Sequence, residues 1–144
     1  MPEYTLDVDP LIKAAQAAFQ HSVAPSSGFH VGAALLTQQG PLFTGCNIES
    51  PVYLGMCAER VALFKALSEG FRIFCALALV CEEGIACPPC GTCRQLLWEF
   101  APTLQVILVE TGQSPSIYSI TDLLPVPFER GERDPFRRKN KNLV

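Results

Sequence analysis

"CPPCGTCRQLLWEF", residues 87–100, opens on two overlapping C-x-x-C pairs that share Cys90 and runs on into a helical pattern. The Pro88–Pro89 pair sets the helix start, because proline is tolerated in a first turn and not further in. Immediately upstream, "IFCALALVC", residues 73–81, is a continuous apolar run of strand length, as expected for a strand buried on both faces. Downstream, "LQVILVE" is another strand. A strand, a helix and a strand in this order imply a sheet with at least one parallel pair.

The rest of the chain fits around that unit. Residues 10–21 predict a helix, with Leu11, Ala15, Ala18 and Phe19 at helical spacing and Asp9 as N-cap before Pro10. "FHVGAALL" and "PLFTGCNI" flank the turn "TQQG" and predict a β-hairpin. "CAERVALFKALS", residues 57–68, predicts a second helix ending at Gly70. "SITDLLP" predicts a short helix stopped by Pro125. The expected order is α-β-β-α-β-α-β-α. The expected fold is α/β, a three-layer α/β/α arrangement with a mixed central sheet.

With 144 residues, 49% of them hydrophobic, the chain suits one compact domain. Its longest apolar run is too short to span a membrane, and the acidic "MPEYTLDVDP" does not look like a secretory signal. Seven cysteines without such a signal favour metal or thiol chemistry over disulfides and point to the cytoplasm. The net charge of −3 is unevenly spread. Residues 129–144 carry six Lys or Arg against three Asp or Glu, and residues 1–128 carry five against eleven. The expected division is therefore a domain over 1–128 and a charged tail over 129–144. An acidic body argues against a nucleic-acid partner.

Cys90 and Cys93 are three apart at a helix start, so their thiols share a face. Cys57 opens the other helix. A helix N-terminus favours a thiolate, and two such ends facing each other would surround one zinc ion per chain with three sulfurs. The fourth position stays open, as in a catalytic site. Cys87, on extended chain before the prolines, is the alternative fourth ligand, and Cys46, Cys75 and Cys81 read as ordinary buried residues. Glu59, in the same turn as Cys57, can sit beside the metal without ligating it. A cysteine-x-glutamate followed downstream by P-C-x-x-C is the zinc deaminase signature in its three-cysteine form.

"GFHVGAALL", "TGCNIES", "CAERVALFKALSEG" and "PCGTCRQLL" together resemble the cytidine deaminase family, in its short homotetrameric branch with a three-cysteine zinc site. Blasticidin deaminase is a near relative. The resemblance covers residues 10 to about 128. It implies hydrolytic deamination of cytidine or deoxycytidine to the uridine product, with Glu59 shuttling the protons. Three thiolates leave the zinc cluster at −1, and the resemblance makes Arg60 the hydrogen-bond donor to thiolate that offsets this, with Arg94 or Gln95 as further candidates. Asn47 and Glu49, two apart at a strand end, suit ribose hydroxyls, and the family's matching pair binds the sugar. Phe29 matches the family's aromatic on the pyrimidine, and Ala58 would border the amino group. Tyr53 and Phe128 match residues that a neighbouring subunit contributes. His30 stands where the family usually has proline and is given no catalytic role. The segment Glu49–Cys57 is one residue shorter than the family pattern. Two other functions fit the same residues: deamination of a modified or antibiotic nucleoside, and a zinc-stabilised nucleoside-binding module without turnover.

Overall fold

The computed structural model describes residues 6–129. Most of the charged tail, residues 130–144, lies outside the described residues. The elements are α1 (Asp9–Phe19), β1 (Gly32–Thr37), β2 (Leu42–Cys46), α2 (Ala58–Ser68), β3 (Phe74–Val80), α3 (Gly91–Phe100), β4 (Gln105–Leu108), β5 (Ser116–Ser119) and α4 (Ile120–Leu123). The five strands form one sheet in the order β2-β1-β3-β4-β5, parallel only between β3 and β4.

Side-chain alternation along the strands builds two unequal layers. On one face, Ala34, Ala76, Ala78 and Ile107 pack against Leu11 and Ala15 of α1. On the other, Ala33, Leu35, Leu77, Leu79, Val106 and Leu108 pack against Ala62, Leu63 and Ala66 of α2 and Leu97 of α3. The small residues on the first face let α1 lie close to the sheet. At Gly32 a Cβ would run into the Ala15 carbonyl and come within 2.6 Å of the Phe19 nitrogen. Burial of the large aliphatic side chains on the second face, each contributing about 1.5–3 kcal/mol, supplies most of the core.

The expected three-layer mixed α/β fold is present, with two differences. First, β5 adds a strand that the apolar pattern did not reveal. "SIYS" is a short edge strand with Ile117 and Tyr118 exposed, so it lacks the continuous burial that marks β3. Second, Asp9 is not the N-cap of α1. Val8 takes that place with no side-chain cap bond, Pro10 stays in the first turn, and the Asp9 N–H donates to the Asp7 carboxylate at 3.2 Å. The helix also stops at Phe19, short of His21.

Sheet register brings the two decisive helix starts together. Gly32 on β1 pairs with Cys46, the last residue of β2, and with Val80, the last residue of β3. Both strands therefore finish at the same edge of the sheet. The chain leaves each towards a helix whose N-terminus lies at that edge, where open α/β sheets place their ligands.

Candidate active site

Cys57 and Cys90 are the N-cap residues of α2 and α3, each with extended backbone, ψ 152° and 166°. Cys90 thus stands one position before the first turn in which the spacing had placed it. The Val61 N–H donates to the Cys57 carbonyl at 3.1 Å and the Arg94 N–H to the Cys90 carbonyl at 2.9 Å, so the two helix starts are built alike. Neither cysteine side chain caps its own helix, which leaves both sulfurs free. Cys93, fully buried on the first turn of α3, supplies the third.

The three sulfurs lie within 4.8 Å of one another, with Cys57 Sγ and Cys90 Sγ at 3.9 Å. Ligands of a tetrahedral zinc at about 2.3 Å hold their sulfurs about 3.8 Å apart, so the donor set fits that ion. Its electrostatics fit as well. The Cys57 thiol is brought down to about 5 by a hydrogen bond from Cys93 and by the Arg60 guanidinium, against burial that pushes it up. Cys93, the donor, is pushed strongly up by that bond and by burial. One negative charge is thus accommodated while a neighbouring sulfur keeps its proton, and a divalent cation in the proton's place would let all three ionise.

Arg60 Nη2 donates to Cys57 Sγ at 3.3 Å, and Arg60 Nε is buried without a partner. Arg94 and Gln95 do something else. Arg94 donates to the Pro89 carbonyl at 2.7 Å and the Leu123 carbonyl at 2.8 Å, joining the turn before α3 to α4. Gln95 exchanges hydrogen bonds with the Phe128 backbone at 2.9 and 3.0 Å. Neither contributes a donor bond to sulfur.

Glu59 is 5% exposed, on the first turn of α2 beside the sulfurs. Burial, with a smaller push from the Cys57 thiolate, raises its carboxyl to about 7. Cys87 is absent from the sulfur cluster. Its thiol is pushed up to about 12, chiefly by burial, with Cys81 and Glu59 adding to the effect.

An open cleft of about 250 Å³ is lined by Asn47, Ile48, Glu49, Gly55, Met56, Cys57 and Arg60. Asn47 and Glu49 reach the same cleft because Ile48 between them is pinned by reciprocal backbone bonds to Met56 at 2.9 and 2.8 Å. At Gly55 a Cβ would lie 2.5 Å from the Ile48 carbonyl oxygen, so glycine lets the short Glu49–Cys57 segment fold back over it. Tyr53, at its tip, has φ 60° and is 96% exposed. Glu49, Tyr53 and Gly55 also line an adjoining cleft of about 460 Å³.

The structure shows partners that spacing did not reveal. Ser27 donates to the Glu49 carboxylate through its N–H at 3.2 Å and its hydroxyl at 2.9 Å. Asn47 Oδ1 accepts from the Val31 N–H at 2.8 Å and from the Ser22 hydroxyl, while its Nδ2 donates to the Phe29 carbonyl at 2.7 Å. The partners of both serines are more than twenty positions away. Phe29 is half-buried against the main core, and Ala58 is buried as the first residue of α2. Neither lines the 250 Å³ cleft. Phe128 is 67% exposed.

Residues 7–109 match the family model described as the cytidine and deoxycytidylate deaminase zinc-binding region. A cytidine deaminase of Sporosarcina psychrophila is 40% identical over 127 residues, covering 87% of this chain and 93% of the relative. The crystal structure of the cytidine deaminase from Burkholderia pseudomallei superposes with a TM-score of 0.78 at 47% identity, covering 83% of this chain and 97% of that one. The blasticidin-S deaminase of Bacillus cereus is 31% identical over 112 residues, 70% of this chain and 78% of that protein.

Proposed function

The chain belongs to the cytidine and deoxycytidylate deaminase family, and on that premise we propose how its residues divide the hydrolysis of cytidine to uridine and ammonia. It is a zinc-dependent nucleoside deaminase. The observation that carries the assignment of its site is the gathering of three sulfurs from two helix starts with a buried carboxyl beside them.

Cys57, Cys90 and Cys93 would hold the zinc, which would supply Lewis-acid activation of water near neutral pH. Arg60 offsets the negative charge of the thiolates through its bond to Cys57 Sγ. Glu59 moves the protons: its carboxylate takes one from the attacking water and delivers it to N3 of the ring as the C4–O bond forms. It then carries the remaining proton of the added hydroxyl to the 4-amino nitrogen, the C4–N bond breaks as the C4 carbonyl forms, and ammonia leaves. One carboxyl serves both ends because donor and acceptor atoms are neighbours in the substrate.

Asn47 and Glu49 take the ribose hydroxyls. Ser27 holds the Glu49 carboxylate in place, and Asn47 keeps one amide hydrogen unspent after its bond to Phe29. Phe29 packs on the pyrimidine and Ala58 borders the amino group. The assembly is a homotetramer in which Tyr53 and Phe128 serve a neighbouring subunit's site; both aromatics are largely exposed in the single chain. Seven free cysteines suit the reducing cytoplasm.

The test is ammonia release from cytidine measured beside zinc content. One zinc per chain with turnover is expected. Zinc and nucleoside binding without ammonia would mean a binding module instead.

A further inference from the structure

His30 stands next to Phe29 and outside every cleft described above, yet the residue is held through both its backbone and its ring. Its backbone N–H donates to the Glu82 carboxylate at 3.0 Å. Its ring meets Phe19 edge-on, centroids 6.0 Å apart. Its Nδ1 lies 2.9 Å from the Ser22 hydroxyl oxygen.

That contact has a definite sense. The Ser22 hydroxyl has one proton, and it goes to Asn47 Oδ1. Towards His30 the same oxygen can then only accept, so Nδ1 carries the hydrogen. Were Nδ1 bare, it would compete for the Ser22 proton, and Asn47 Oδ1 would keep only its bond from Val31. The Asn47 carboxamide, held by the Val31 N–H and the Phe29 carbonyl, thus takes its third bond from a relay that begins at His30.

We propose that His30 is a positioning residue for sugar recognition: its Nδ1–H keeps the Ser22 hydroxyl turned onto Asn47 and so aims the remaining Asn47 amide hydrogen at the ribose. This rests on the assignment of Asn47 to the sugar. Losing one part-buried neutral hydrogen bond of this kind is expected to lower kcat/KM by about three- to tenfold on a substrate that uses Asn47.

The experiment compares cytidine with 2′,3′-dideoxycytidine, which lacks the hydroxyls Asn47 would meet. Wild type, His30→Phe, His30→Asn and Ser22→Ala are assayed on both, with zinc content and Tm alongside. His30→Phe keeps an aromatic against Phe19 and removes the donor. It should lose kcat/KM on cytidine and change by less than about twofold on the dideoxy substrate. His30→Asn, whose amide places an N–H near the position of Nδ1, should restore most of the loss. Ser22→Ala should show the same substrate dependence, and adding His30→Phe to it should cost nothing further. Equal losses on both substrates, no loss on either, or full additivity with Ser22→Ala would overturn the proposal. Should His30→Phe fold poorly, Ser22→Ala alone carries the same comparison, and equal losses from it overturn the relay. Equal kcat/KM of the wild type on the two substrates would instead overturn the Asn47 assignment itself, and the relay with it, before any variant is considered.

Discussion

Glu59 is a carboxyl that the fold buries where ordinary stability would favour an apolar residue. Its replacement therefore separates chemistry from folding. Glu59→Gln keeps the shape and should bind zinc as the wild type does, while kcat falls at least to the upper end of the roughly 10²–10⁴-fold that a general acid–base contributes. Ammonia release and zinc content, measured together, check it. A variant with full zinc and most of its activity would refute the role. Cys87 and Cys90 make the complementary comparison, since they belong to the same C-P-P-C run but only Cys90 joins the sulfur cluster. Cys87→Ser should retain zinc and turnover, and Cys90→Ser should lose both. Loss of metal from Cys87→Ser would show that the wrong C-x-x-C pair had been chosen.

The N-terminus of α2 carries Cys57 as N-cap and Glu59 and Arg60 in its first turn, so the approach of this helix to β2 decides where these side chains sit. Gly45 makes that approach possible. A Cβ there would run into the Ala58 carbonyl and lie 2.7 Å from the Ala62 nitrogen, both backbone atoms that cannot rotate away. Gly45→Ala should cost about 1–3 kcal/mol of stability by overpacking and weaken zinc retention with it. Thermal unfolding and a chelator titration read the two effects. At the other end of the chain, α4 begins with a capping box in which Ser119 and Asp122 exchange bonds of 3.1 and 2.9 Å. The Ser119 hydroxyl and N–H hold the Asp122 carboxyl below its usual 3.8. A lowered acid adds stability above its unfolded value and loses it as pH falls through the folded one. The difference in denaturation midpoint between wild type and Asp122→Ala should thus be present at neutral pH, shrink below about pH 4 and vanish in stronger acid. A difference independent of pH would show that the cap acts without the charge.

At the scale of the whole molecule, the exposed aromatics lie at two separate places. Tyr53, with its positive φ, stands at the tip of the turn beside the cleft lined by Asn47 and Glu49, and Phe128 hangs from α3 through its backbone bonds to Gln95. Val52, Leu54 and Val126 extend both places with further exposed apolar surface. Subunit contact is the economical use of such surface. Light scattering of the zinc-loaded protein should give a tetramer, and Phe128→Ala should reduce turnover even where the tetramer persists. An active monomer at assay concentration would exclude the shared site.

Local pattern was enough for most elements and for the three cysteines that the fold gathers. Apolar continuity marked β3 and β4, helical spacing marked α1 and α2, and Cys57, Cys90 and Cys93 each stood at a helix start recognisable from a few neighbouring residues. The cysteine-x-glutamate and P-C-x-x-C elements pointed to zinc chemistry because ligand geometry depends on spacing within one turn. Three things depended on tertiary structure. The pairing of Gly32 with both Cys46 and Val80 brought the two helix starts to one edge of the sheet. Asn47, Glu49, Arg94 and Gln95 each make a bond to a residue from 16 to 33 positions away, and no periodicity encodes these long-range bonds. β5 stayed hidden because an edge strand gains its structure from hydrogen bonds to β4 while leaving its apolar side chains in solvent. Hydrophobic pattern reports what a segment buries, and long-range hydrogen bonds and register are settled only when the sheet closes.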